Sequence, residues 1–154
     1  MKSILSIVLI SLITFSCAQN DNSLAIEHKD ITGTWELSKI LNGSVGGEFA
    51  PENNKTHRYV FNSNKTFERV EVDNEQIVKL TGTFTVTDQH HLYQNLDSNY
   101  AKYIELTYIS ISNFFNCNTD YTSKQLLILN TSNELLNTLP MACDGNGFKY
   151  TKKE

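Results

Sequence analysis

A chain of 154 residues, 40% apolar and 19% charged, has the length of a single domain and enough apolar content for one core. With 17 Asp and Glu against 13 Lys and Arg its net charge is −4. It carries no basic run beyond Lys152-Lys153, which argues against a nucleic-acid partner and against a polybasic membrane contact.

Met1-Lys2 precede an apolar run from Ile4 to Ile13. That run is shorter than the ~20 residues a bilayer-crossing helix needs and has the length of a signal-peptide core. It ends at Ile13-Thr14-Phe15-Ser16-Cys17, a small residue before a cysteine. This resembles the bacterial lipobox, in which that Cys becomes the lipidated first residue, although Thr14 stands where a Leu is usual and Phe15 is bulkier than common. Looser lipoboxes of this kind occur in Bacteroidetes-type bacteria. The resemblance implies a lipoprotein signal peptide over residues 1–16, a lipid on Cys17 and a membrane partner reached through that anchor. The implied location is the cell envelope, at the outer membrane, on its periplasmic or its surface-exposed side. The alternative is an ordinary signal peptide with Cys17 incidental. Loss of Lys2 leaves 12 Lys and Arg against 17 Asp and Glu, about −5. Residues 17–29 then read as lipidated Cys and tether, with Ser23–Lys29 able to form one helical turn.

From Asp30 onward, residues 30–154 read as the domain, and the apolar period is two. Trp35 and Leu37 alternate with Thr34, Glu36 and Ser38 as a half-buried strand. Asn42 to Asn54 is a Gly/Asn-rich loop. His57–Phe61 and Thr66–Val72 flank Asn62-Ser63-Asn64-Lys65 as a hairpin, and Asp73-Asn74-Glu75 turns the chain again. The clearest strand sets Leu80, Gly82, Phe84 and Val86 against Thr81, Thr83, Thr85 and Thr87, and Gly82 inside it suggests a bend or bulge. Tyr100 to Ser112 is β-rich with bulk on both faces: Ile104, Leu106 and Tyr108 on one, Tyr103, Glu105 and Ile109 on the other. Such a strand packs on the interior and is covered outside. Asn113 to Ser123 is a loop, Gln125–Leu129 a short strand, Asn130 to Asn133 a turn and Gly147–Lys152 the closing strand. This pattern predicts an all-β antiparallel barrel or sandwich of about eight strands.

Three stretches resemble the lipocalin-like domains of small bacterial lipoproteins. They are the opening Gly33-Thr34-Trp35, the internal Gly82-Thr83-Phe84, and the ending from Cys143-Asp144-Gly145 through Phe148-Lys149-Tyr150 to Lys153. The resemblance implies an up-and-down barrel rather than a sandwich, with at most a short N-terminal helical turn. It further implies that Trp35 closes one barrel end, that the loop after the first strand is a lid, and that a small apolar or amphipathic ligand is bound.

With Cys17 assigned to lipid, Cys117 and Cys143 form an even pair in an exported chain and are expected to be disulfide-bonded, the alternative being thiols acting as metal ligands or a nucleophile. No Gly-x-Ser-x-Gly elbow, His-Glu-x-x-His helix, phosphate-cradling loop or Cys-x-x-Cys occurs. The adjacent His90-His91 would point to opposite faces of a strand, which suits loop histidines better than metal ligands. No enzymatic activity, metal or cofactor is therefore expected. Trp35, Tyr59, Phe61, Phe84 and Tyr108 occupy inward-capable strand positions and are the candidate ligand-binding residues. A barrel lined in this way is either a ligand pocket or a filled core. The filled alternative is an envelope structural or protein-interaction module that uses the Gly/Asn-rich loop and Phe114-Phe115 as contact surface.

Overall fold

A computed structural model describes residues 31–89, 100–109 and 123–154 of the chain. The expectations placed on Cys17, on Ser23–Lys29, on His90-His91, on Phe114-Phe115 and on Cys117 lie outside the described residues. Among the described residues nine strands follow in chain order: β1 (Gly33–Leu41), β2 (Glu48–Phe49), β3 (Lys55–Phe61), β4 (Thr66–Asp73), β5 (Gln76–Thr87), β6 (Tyr100–Tyr108), β7 (Lys124–Asn130), β8 (Glu134–Asn137) and β9 (Gly147–Lys152). All pairings are antiparallel and run β1-β3-β4-β5-β6-β7-β8-β9, with β9 returning to β1. Eight strands thus close an up-and-down barrel.

Neighbouring strands are joined by tight turns wherever the sequence supplies turn residues. Within the β3–β4 turn the Asn62 side-chain amide donates to Thr66 Oγ1 and Asn64 Oδ1 accepts from the Thr66 N–H, and the turn ends on Lys65 at φ 64°. Asn74 and Glu75 both hold positive φ, 47° and 73°, between the paired Asp73 and Gln76. Such backbone matches the right-handed strand twist in a two-residue hairpin.

β5 presents Leu80, Gly82 and Phe84 to the core while its threonines stay exposed, so its alternation is as read. The reading of Gly82 needs correction. The β4–β5 register runs from Thr66↔Thr83 to Asp73↔Gln76 without a shift, and no bulge occurs at Gly82. A Cβ there would lie 2.7 Å from Phe67 Cε1 and 2.0 Å from the Thr107 carbonyl oxygen, so the glycine admits the close approach of a ring and a backbone. Register shifts occur instead between Leu37 and Lys39 of β1 and between Tyr100 and Lys102 of β6.

Two elements depart from the linear reading. The Gly/Asn-rich loop contains β2, which pairs Phe49 and Glu48 with Ile40 and Leu41, and Lys149 of β9 ties it down through Glu48 at 2.5 Å. The stretch after Asn133 holds β8 and a 3-10 turn, Leu139–Cys143, the one helix among the described residues. Outward-facing Tyr103, Leu126, Ile128 and Leu136 form a second buried cluster on β6, β7 and β8, in keeping with the bulk expected on both faces of β6.

Candidate functional site

Antiparallel register assigns each interior residue to one of two barrel ends. Toward the end where β1 begins and β9 finishes, Trp35, Phe61, Phe67, Phe84, Ile104 and Leu135 are all fully or nearly fully buried. The Trp35 indole N–H donates to the Ile31 carbonyl at 2.8 Å, and Ile31 is itself buried. The segment before β1 therefore seals this floor. Phe61 meets Phe84 edge-on at 5.0 Å, and Phe67 meets Tyr108 at 5.0 Å, geometries in which aromatic pairs gain beyond their burial.

Toward the other end the interior becomes polar. The β4 positions that follow Phe67 on the inner face are Arg69 and Glu71, and those beyond Phe61 on β3 are Tyr59 and His57. Arg69 is only 4% exposed. Its guanidinium pairs with the Glu71 carboxylate, sits 5.6 Å from the centroid of the Tyr59 ring and reaches Gln125 Oε1 at 3.4 Å. The same Gln125 oxygen accepts from the Tyr59 hydroxyl at 3.0 Å and from the Tyr108 hydroxyl at 2.5 Å. Tyr150 of β9, fully buried, meets Tyr59 edge-on at 5.1 Å. Among the described residues its hydroxyl has no hydrogen-bond partner, and neither does His57 Nδ1. A buried polar group left without a partner costs about 1–3 kcal/mol.

Electrostatics follow from this burial. Burial, with Arg69 as a smaller opposing influence, raises the Tyr59 pKa, and it raises those of Tyr108 and Tyr150 as well, so all three remain protonated and able to donate. Burial alone would lower the Arg69 pKa, but the tyrosines and Glu71 around it outweigh this and raise it, which keeps the guanidinium charged. His57 is lowered by burial and then by Arg69, and is neutral at pH 7.

Above this layer the inner wall meets solvent. Val78 shares the inward face of β5 with Leu80 yet is 46% exposed, and the Glu71 side chain opposite it is partly exposed. This mouth is bordered by the loop carrying β2 and by the β4–β5 turn. A separate cleft of about 470 Å³ lies outside the barrel near the same turn, between Asn53, Asn54, Thr56, Val72, Asn74 and Glu75.

The five residues singled out in the sequence fall into two groups. Trp35, Phe61 and Phe84 belong to the packed floor, whereas Tyr59 and Tyr108 belong to the polar layer and converge on Gln125. Arg69, Glu71, Gln125, Tyr150 and His57 were missed. Alternation from Phe67 would have turned Arg69 and Glu71 inward, and alternation from Phe61 would have turned His57 inward, so a charge-aware reading of the same strands carries the signal. Cys143 ends the 3-10 turn and is engaged by a partner. Among the described residues, no group of three or more His, Cys, Asp or Glu is arranged to hold a metal ion.

No curated protein and no solved structure gives a significant match to the chain. The family model for the lipocalin-like domain matches residues 31–127, more than half of the chain, from the floor segment through most of β7. Together with the closed eight-stranded antiparallel barrel, this match places the protein: it belongs to the lipocalin-like domain family.

Proposed function

We propose that this protein is a lipid-anchored lipocalin-like protein of the bacterial cell envelope, held at the outer membrane, which binds a small amphipathic molecule at the mouth of its barrel and catalyses no reaction. The observation that carries the binding reading is the interior layer of Tyr59, Arg69, Tyr108, Gln125 and Tyr150, placed between an apolar floor and a solvent-reaching wall. Polar groups converging in an otherwise apolar concavity are how small-molecule sites fix a ligand. In this reading Tyr59 and Tyr108 contact the ligand, while Trp35, Phe61 and Phe84 hold the floor. Native mass spectrometry of the full chain purified from its envelope tests it: a reproducible adduct of small mass is expected, and a ligand-free protein that also takes up no apolar probe would overturn it. The competing reading, a barrel acting only as a structural or interaction module, is favoured by the edge-on ring contacts of the floor.

The anchor rests on the apolar run ending at Ser16-Cys17. Cys17→Ala should move the protein from the membrane pellet to the soluble envelope fraction and abolish labelling by palmitate, whereas an unlabelled wild type would rule the anchor out. Cys117 and Cys143 are proposed to be bonded, an arrangement common to exported chains. Thiol titration of the unfolded, unreduced protein should find neither of them free.

A further inference from the structure

We propose that the rim of the barrel carries a docking edge for an extended peptide, which adds as a short strand along β3 and places an arginine in the outer cleft beside Glu75. The site lies outside the barrel and does not depend on what the interior holds. The seam between β1 and β3 is incomplete. β3 pairs with β4 along its whole length, from Phe61↔Phe67 to Lys55↔Asp73, but with β1 only from Gly33↔Phe61 to Glu36↔Arg58. Farther along, the same side of β1 takes up β2, at Ile40↔Phe49 and Leu41↔Glu48, because β9 occupies its other side. Residues 55–57 of β3 therefore have a strand neighbour on one side alone, and so does β2. These two edges flank a notch in the rim.

The phase of the β3–β4 ladder shows what the notch offers. The Asn62 N–H donates to the Thr66 carbonyl at 2.9 Å and the Asn74 N–H to the Asn54 carbonyl at 3.2 Å, so the even-numbered residues here turn their backbone groups toward β4. The odd-numbered ones turn theirs toward the notch. The Lys55 N–H is taken by the Glu52 carbonyl at 3.0 Å. The His57 N–H and the Lys55 carbonyl, on either side of Thr56, are left without a ladder partner among the described residues. A donor and an acceptor flanking one residue are the template to which an incoming strand hydrogen-bonds.

The side chain follows from the outer face. A residue set opposite Thr56 shares that face with Thr56 and with Val72, which pairs with it. There the cleft of about 470 Å³ opens, walled by Val72 and reaching Glu75. The Glu75 carboxylate makes no ion pair among the described residues. The Asn54 side-chain amide donates to Asn74 Oδ1, which with the backbone bond between the same two residues ties the sides of the cleft together and leaves Asn54 Oδ1 to accept. An apolar wall leading to a carboxylate and an amide oxygen suits arginine, whose stem packs while its head donates five N–H groups. Exposed Ile77, paired with Val72 on β5, extends the wall.

Amide NMR spectra of the full chain, titrated with the blocked peptide acetyl-Thr-Val-Arg-Val-Thr-amide, test this. The signals of Asn54, Thr56, His57 and Glu75 should shift saturably, and the His57 amide should gain protection from hydrogen exchange. Citrulline in place of the arginine, the same shape without the charge, should weaken binding about fivefold, the scale of an exposed ion pair. Methylating the backbone nitrogens of the arginine and of the residue after it should abolish binding, because in either strand direction the donor to the Lys55 carbonyl is then gone. Glu75→Gln, a change in an exposed turn, should make the arginine and citrulline peptides equal. Binding that survives backbone methylation would overturn strand addition, and equal binding of the two peptides by the wild type would overturn the cleft assignment. Shifts of the same amides that grow with protein concentration alone would give the edge to a second copy and overturn the peptide proposal, as would the absence of any shift at millimolar peptide.

Discussion

At the scale of single residues, the polar layer makes the barrel sensitive to acid through His57. Burial first, and then the charge of Arg69, hold its pKa below the ordinary 6.5, and the opposing pull of Glu71 and Asp73 does not cancel them. Between the folded value and 6.5 the unfolded chain binds more protons, so stability rises with pH across that window. The contribution is complete above 6.5 and is lost as pH falls below it toward the folded value. His57→Gln should therefore lose less stability than wild type when urea midpoints at pH 7.5 and pH 5.5 are compared. An identical acid loss in both proteins would assign the effect to carboxylates instead. Trp35 acts through volume. It is fully buried and hydrogen-bonded to Ile31, so Trp35→Ala should cost about 3–5 kcal/mol in denaturant unfolding, as for other buried aromatic deletions. A cost below about 1 kcal/mol would mean that the floor does not depend on it.

At the scale of elements, what could be read in advance depended on whether a strand separates its two faces. β5 does so from Leu80 to Thr87, with threonines outside and Leu80, Gly82 and Phe84 inside, and that facing was legible, whereas its first four residues, Gln76–Lys79, are all exposed and were not read as strand. β8 offers four residues, Glu134–Asn137, with three successive buried positions and no alternation, and β2 offers two exposed ones. Neither carries a period, so only tertiary pairing defines them. The candidate site was half legible for the same reason. Tyr59 and Tyr108 stand out as aromatics on inner faces, whereas Arg69 and Gln125 are residue types ordinarily assigned to solvent. Gly82 was legible as special but not as to why, because the Phe67 ring that covers it comes from the neighbouring strand. Gly82→Ala should cost about 3 kcal/mol through overpacking, since the Thr107 carbonyl cannot swing aside as a side chain can. Glu75 carries the opposite opportunity. Its φ of 73° belongs to the second position of a hairpin turn that favours glycine, so Glu75→Gly should raise stability by about 1 kcal/mol. An unchanged melting temperature would show that the entropy of glycine in the unfolded chain offsets the relief.

At the scale of the whole molecule, the barrel exists only when its first and last strands meet. β9 pairs with β1 from Trp35↔Lys152 to Leu41↔Gly147 and with β8 on its other side, so it is flanked by partners from Phe148 to Thr151. It also places the fully buried Tyr150 in the same core cluster as Trp35 and Tyr59. Closing the ends of a chain this long delays the rewarding contacts, which predicts slow folding for its size. It also ties the floor to the mouth, because opening one seam exposes the inner face of every strand. Thr151 lies between Glu36 and Glu134 in that seam, where proline removes a donor from a strand paired on both sides. Thr151→Pro should therefore destabilise the whole barrel by about 3 kcal/mol or more, and not merely fray β9. Two probes distinguish these outcomes: Trp35 fluorescence reports the floor, and far-ultraviolet circular dichroism reports all the strands. In a cooperative barrel both transitions should shift together to lower urea and remain superimposable. If the tryptophan transition moved alone while the circular dichroism midpoint stayed at the wild-type value, the seam would be a local latch and the closed barrel would not unfold as one unit.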